Sequence, residues 1–128
     1  MNKSVEFHSK AFPARPGEDE EVNPGRYGKA LAEYLSAELQ ARGVPVAAVS
    51  AEDWGWRIDI QNADFPLWIG CGNLDGEADG FLCFVEPSKP KVGWFNRKDT
   101  TAATEHLASE VYAILSANSQ VKGLRPSD

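Results

Sequence analysis

The chain has 128 residues, of which 42% are apolar and 25% charged, and its formal net charge is −6. This composition is that of an ordinary globular domain and not that of a disordered chain, which would have fewer apolar residues. The acidic balance also disfavours nucleic acid as a partner, because phosphate binding needs clustered Lys and Arg.

The length predicts one domain over residues 1–128. A chain of this size buries roughly two-thirds of its unfolded surface, so it needs no disulfide or metal to fold. The N-terminus has no apolar leader segment, and no later stretch approaches the length of a membrane span. The two cysteines form no disulfide-scaffold pattern. We therefore expect a cytoplasmic monomer or homodimer that makes no membrane contact and carries no cofactor.

The first third of the chain predicts a strand, a loop and a helix. Weak alternation over residues 4–12 predicts the strand, and the Pro, Gly and acidic content of residues 13–22 predicts an acidic loop. Asn23 and Pro24 are a favourable N-cap and first helical residue for a helix over residues 24–42. The acidic run at 18–21 also suits the positive end of the helix dipole.

Three strands follow this helix, at residues 46–61, 67–72 and 80–86. Their connections are short, which implies an antiparallel meander. A second helix begins at Asp99 or Thr100, and residues 123–128 are expected to be a frayed tail. The order β-α-β-β-β-α predicts an α+β two-layer sandwich, in which both helices pack on one face of a mostly antiparallel sheet.

Successive side chains of a strand point to opposite faces of the sheet, so a proposed pairing of two strands predicts which residues share a face. Pairing Ile60 with Leu67 and Cys71 with Cys83 collects the large apolar side chains on one face. That face contains Trp54, Trp56, Ile58, Ile60, Leu67, Ile69, Cys71, Phe81, Cys83 and Val85. We predict that it packs against the helices, and that Trp54 and Trp56 are mainly core aromatics.

The opposite face carries the candidate site. Its members are Arg57, Asp59, Trp68, Phe84 and Glu86. In the same register Gly70 lies opposite Phe84, and Trp68 lies between the two carboxylates. Aromatic rings, charges and bare strand glycines suit a shallow surface that binds a small molecule, peptide or protein. The alternative is an ordinary solvated face, on which an ion pair contributes little, although adjoining aromatics favour contact.

An enzymatic alternative depends on carboxylates. Asp53, Asp59 and Glu86 could serve a small hydrolase as acid and base, with or without a divalent metal, but no histidine lies at ligand spacing from Asp53. A nucleophile pair of Cys71 and His106 has no supporting local motif, and both cysteines are expected to be buried thiols. The sequence therefore predicts no catalytic residue and no metal ligand.

One segment, residues 89–98, is both basic and aromatic. It contains Lys89, Lys91, Trp94, Phe95, Arg97 and Lys98. This mixture can bind phosphate or single-stranded nucleic acid. A strand or loop protected by lysines has the same composition and is the favoured interpretation.

Three motifs carry a resemblance to a known family. They are Asn23-Pro24-Gly25-Arg26-Tyr27-Gly28, Glu52-Asp53-Trp54-Gly55-Trp56 and Phe65-Pro66-Leu67-Trp68-Ile69-Gly70-Cys71-Gly72-Asn73. Over residues 22–100 the chain resembles a family of small, uncharacterised bacterial proteins. The resemblance implies a bacterial cytosolic origin and transfers no activity, ligand or catalytic residue. The prediction is therefore a non-enzymatic binding module, with the carboxylate hydrolase as the alternative.

Overall fold

The computed structural model describes residues 3–18, 27–74, 77–93 and 97–127. Its elements in chain order are β1 (Ser4–His8), α1 (Lys29–Ala41), β2 (Val46–Glu52), β3 (Gly55–Ile60), β4 (Leu67–Asn73), β5 (Gly80–Glu86), β6 (Lys91–Val92), β7 (Lys98–Asp99), α2 (Thr101–Ala117) and β8 (Lys122–Pro126). Six strands form one antiparallel sheet in the order β2-β3-β4-β5-β1-β8, and β6 pairs with β7 separately. The predicted α+β class is confirmed.

The predicted register of the three central strands is also confirmed. Ile60 pairs with Leu67 and Trp56 pairs with Cys71 between β3 and β4. Cys71 pairs with Cys83 between β4 and β5. One face of the sheet therefore collects the apolar side chains, as the alternation predicts.

Both helices pack on this apolar face and complete a single core. The sheet contributes side chains such as Ile58, Ile69 and Phe81, all fully buried. The helices contribute Leu31, Leu35, Leu39, Leu107, Val111, Ile114 and Leu115. Full burial of each such side chain contributes roughly 1.5–3 kcal/mol. None of the helices in the described ranges is long and apolar enough to cross a membrane.

The single strand predicted over residues 46–61 is in fact two strands. β2 and β3 are joined by a turn at Asp53 and Trp54, since Glu52 pairs with Gly55. The turn interrupts the alternation, so Trp54 no longer shares a face with its neighbour two residues on. The prediction that Trp54 belongs to the core face is wrong, because its ring contacts aromatic residues of the opposite face.

Two glycines allow three segments to meet at one backbone carbonyl. A Cβ added at Gly55 would lie 2.5 Å from the carbonyl oxygen of Cys71, and one added at Gly28 would lie 2.7 Å from the same atom. Real Cβ atoms do not approach so closely. The start of α1 and the β2–β3 turn can therefore both approach β4 only with glycine at these two positions.

The C-terminal segment is a strand and not the expected frayed tail. β8 pairs with β1, with Glu6 opposite Arg125 and Val5 opposite Pro126. It forms one edge of the sheet, while β2 forms the other. The middle of β2, residues 47–50, is exposed to solvent.

The ends of the two helices differ from the prediction in detail. α1 begins at Lys29, and the predicted cap at 23–24 lies outside the described residues. At α2 the residue in the N-cap position is Thr100, but the capping hydrogen bond goes from the Thr101 N–H to the Asp99 carboxylate, at 2.8 Å. This bond holds the pKa of Asp99 below its ordinary value.

The basic segment at 89–98 includes part of a small hairpin. Lys91 pairs with Asp99 and Val92 pairs with Lys98. The favoured interpretation, a lysine-protected strand or loop, agrees with this pairing. The two aromatic residues of the segment, Trp94 and Phe95, lie outside the described residues.

Candidate functional site

Three aromatic rings meet on the helix-free face of the sheet, and we name Trp54, Trp68 and Phe84 the aromatic cluster. Trp68 lies on β4 and Phe84 on β5, while Trp54 reaches the face from the β2–β3 turn. The ring centroids are 5.9 Å apart for Trp54 and Trp68, 5.3 Å for Trp54 and Phe84, and 5.7 Å for Trp68 and Phe84. These separations are those of favourable aromatic pairs.

Arg57 adds a charged layer to the aromatic cluster. Its guanidinium carbon lies 4.2 Å from the centroid of the Trp68 ring, which is cation–π geometry. The same guanidinium donates from Nε to the Asp59 carboxylate at 2.8 Å. Both side chains are partly exposed, at 26% and 33%. The Arg57 side chain is therefore held in place by a cation–π contact with Trp68 and an ion pair with Asp59.

Glu86, the last of the five predicted site residues, lies in one row across the sheet with Asp59 and Trp68. Asp59 pairs with Trp68, and Trp68 pairs with Glu86. The Glu86 carboxylate accepts the backbone N–H of Ser88 at 3.0 Å. The structure therefore brings all five predicted residues to one face, and it adds Trp54 to them.

A strand glycine seats the Phe84 ring. Gly70 and Phe84 are cross-strand partners, and a Cβ added at Gly70 would lie 2.2 Å from the Phe84 Cζ atom. The ring therefore occupies the space that a side chain at position 70 would take. The missing side chain at position 70 therefore allows the Phe84 ring to lie close to the backbone of β4.

Each ring of the aromatic cluster packs against the other two rings. All three rings are half-buried, whereas among the described residues the large apolar side chains with the highest exposure are Val49 and Tyr112, at 37% each. The face consequently presents a preformed surface of half-buried aromatic rings to solvent, with Arg57, Asp59 and Glu86 beside it.

A second polar arrangement lies under the start of α1, where Glu18 is only 1% exposed. Its Oε2 accepts the backbone N–H groups of Gly28 at 2.7 Å and Lys29 at 2.8 Å, and the indole N–H of Trp56 at 3.1 Å. Its Oε1 accepts the backbone N–H of Arg15 at 2.8 Å. A carboxylate at the positive end of the helix satisfies its free donors and complements its dipole.

The role of Glu18 is structural, because all four of these donors belong to the fold itself. The sequence signalled only that an acidic run would favour the helix start. It did not show which carboxylate is buried, since the donors are backbone groups and a ring from separate segments. The neighbouring Lys29 lies with Nζ 5.0 Å from the centroid of the Trp56 ring.

The carboxylates of the enzymatic alternative have separate roles. Asp59 pairs with Arg57, Glu86 bonds to Ser88, and Asp53 is exposed in the β2–β3 turn. None of them belongs to a metal-ligand group within the described ranges. Asp59 and Glu86 lie on either side of Trp68, since both pair with it across the sheet.

The two cysteines form buried thiols, as predicted. Cys71 and Cys83 are cross-strand partners and both are free. Hydrogen bonding to Cys83, together with burial, raises the pKa of the Cys71 thiol well above its ordinary value. A raised pKa is the opposite of what a nucleophilic cysteine needs. The His106 side chain is 70% exposed and lies 3.9 Å from Glu110. It is therefore not placed to act as a base for the buried Cys71 thiol.

Comparison with known proteins gives no independent assignment. No protein-family model, curated protein or solved structure matches the chain.

Proposed function

We propose that the protein is a non-enzymatic binding module that contacts a protein partner through its helix-free face. The observation that carries the proposal is the fixed stack of Arg57, Trp68 and Trp54, with Phe84 against both rings. Trp and Arg are among the residues that contribute most to protein–protein binding energy. Such a stack offers both residue types at one place on a rigid sheet.

Preorganisation supports this use of the aromatic cluster. Each ring contacts the other two, and Phe84 is seated on Gly70. Side chains that are already ordered lose little conformational entropy on binding, which lowers the cost of association. A sheet face with half-buried aromatic rings suits a broad protein or peptide surface, whereas small molecules are usually bound in concave pockets.

The charges around the aromatic cluster indicate what kind of partner surface would be complementary. Arg57 neutralises Asp59, while Glu86 and Asp53 add negative charge beside Trp68 and Trp54. The whole chain is also acidic, with a formal charge of −6. A complementary partner has an apolar centre and Lys or Arg at its rim.

The proposal includes a cytosolic location, where two free thiols stay reduced.

The test compares three forms of the immobilised protein in capture from bacterial lysate: wild type, Trp54→Ala and Tyr112→Ala. Trp54 lies in a turn, so its loss should spare the fold, which thermal unfolding verifies. Tyr112 is an exposed aromatic residue on α2 and serves as the matched control. We expect a captured protein whose affinity, measured after purification, falls at least about tenfold in Trp54→Ala and is unchanged in Tyr112→Ala.

A charge-reversal variant sharpens the test. Glu86→Lys should slow association with the same partner, and the effect should shrink at high salt. The proposal is overturned if every captured protein binds wild type and Trp54→Ala equally. It is also overturned if the only specific ligand is a small molecule that raises the melting temperature of both forms alike.

A further inference from the structure

One imidazole and two carboxylates meet where β1 ends and β5 begins. The potential ligand atoms of His8, Glu77 and Asp79 all lie within 4.8 Å of one another. His8 Nε2 and Glu77 Oε2 are hydrogen-bonded to each other at 3.0 Å. The His8 and Glu77 side chains are about half exposed, at 45% and 52%. Solvent and ions can therefore reach these atoms.

We propose that His8, Glu77 and Asp79 bind a divalent transition-metal ion such as Zn²⁺ or Mn²⁺. One nitrogen and two oxygen donors suit these ions better than Ca²⁺, which prefers oxygen ligands alone. Two ligand atoms bonded to one ion at about 2.1 Å lie roughly 3.0–3.4 Å apart, and the His8–Glu77 separation falls in this range. A rotation of the Asp79 side chain completes the set.

The backbone around the three ligands is anchored. His8 pairs with Gly80 across β1 and β5, and the carbonyl of Asp79 accepts the N–H of Ser9 at 2.9 Å. The carbonyl of Glu77 accepts the side-chain amide of Asn73 at 3.3 Å. The protein thus holds the ligand positions before an ion arrives.

Glycine at position 80 keeps the space between the ligands clear. A Cβ there would lie 2.3 Å from Glu77 Oε2 and 3.2 Å from His8 Nε2. A side chain there would displace the Glu77 carboxylate and crowd the His8 ring.

A cavity of about 300 Å³ adjoins two of the three ligands, His8 and Asp79. It is lined by His8, Ser9, Lys10, Asp79, Gln120 and Lys122. Three protein ligands leave coordination positions open, as in catalytic metal sites. The cavity supplies room for water or an anion in those positions, and Lys10 and Lys122 favour an anion such as carboxylate or phosphate.

The test is calorimetric titration of the purified protein with Zn²⁺ and with Mn²⁺ at neutral pH. The chain has two histidines, so His106→Ala is a matched control; His106 also lies near a carboxylate, at 3.9 Å from Glu110. We expect one ion per wild-type chain. The affinity should fall at least about tenfold in His8→Ala and in Asp79→Asn, with no change in His106→Ala.

Two results would overturn the metal site. One is wild-type protein that binds neither ion at one equivalent. The other is binding that His8→Ala leaves intact, which would assign the ion to another place on the surface. Because the site shares no residue with the aromatic cluster, Trp54→Ala should leave the metal affinity unchanged, and the two proposals can fail separately.

Discussion

The indole N–H of Trp56 donates to the carboxylate of Glu18 at 3.1 Å, although 38 positions separate the two residues. The same carboxylate accepts two N–H groups at the start of α1. One buried charge therefore joins the N-terminal segment, the first helix and β3. Hydrogen bonds to charged groups contribute more than neutral ones, at roughly 1.5–3 kcal/mol each.

Replacing Glu18 should destabilise the whole domain. Glu18→Ala removes the acceptor of two buried N–H groups, those of Gly28 and of the Trp56 indole, and we expect a loss on the order of 3 kcal/mol in the free energy of unfolding. Urea unfolding followed by tryptophan fluorescence measures it. The exposed Glu38 on α1 is the control, since Glu38→Gln should change stability by less than about 0.5 kcal/mol. Equal stability of the two variants would contradict the structural role of Glu18.

Gly70 and Phe84 should be energetically coupled. Gly70→Ala places a methyl group inside the Phe84 ring, and overpacking of this kind costs about 1–3 kcal/mol. In a Phe84→Leu background the ring is gone, so the same substitution should cost markedly less. Urea unfolding of the two single variants and the double variant gives the coupling energy. Strict additivity would show that the ring does not occupy the space above Gly70.

Stability should fall at alkaline pH because of Cys71. Its pKa is raised in the folded state by hydrogen bonding to Cys83 and by burial. Above the ordinary thiol value of 9.0, the unfolded chain loses the proton and the folded chain keeps it. The stabilising contribution is complete below that pH and is lost as the pH rises towards the folded value.

The measurement is the free energy of unfolding between pH 7 and 10 in wild type and Cys71→Ala. Other groups titrate in both proteins, so the difference between the two pH slopes reports the thiol. We expect a steeper decline in wild type above about pH 9. Identical slopes would show that the Cys71 thiol titrates alike in the folded and unfolded states.

The central sheet was predictable because burial of one face constrains its register. Shifting β4 by a single residue would move Leu67, Ile69 and Cys71 to the other face, so the apolar pattern selects one pairing. The same pairing predicts that Arg57 and Trp68 share the opposite face, as they do in the structure. The open face of the sheet is a direct consequence of the core face.

Features that depend on distant partners were not predictable. The turn at Asp53 and Trp54 lacks the usual Asn-Gly or Asp-Gly signal, so the sequence predicts a continuous strand through Trp54. β8 has only Leu124 as a large apolar residue, and it forms through pairing with β1. The burial of Glu18 depends on donors from several segments. The metal-ligand group likewise needs His8 beside the far later Asp79.

The two edges of the main sheet are chemically unequal. β8 carries Lys122, Arg125 and Pro126, which hinder the addition of another strand. The exposed β2 strand has no Pro, and its one charged residue is the terminal Glu52. Lateral growth from β2 would stop once two copies had paired with each other, because each pair presents only β8 edges. The fold therefore permits a closed twofold assembly and opposes an open fibre.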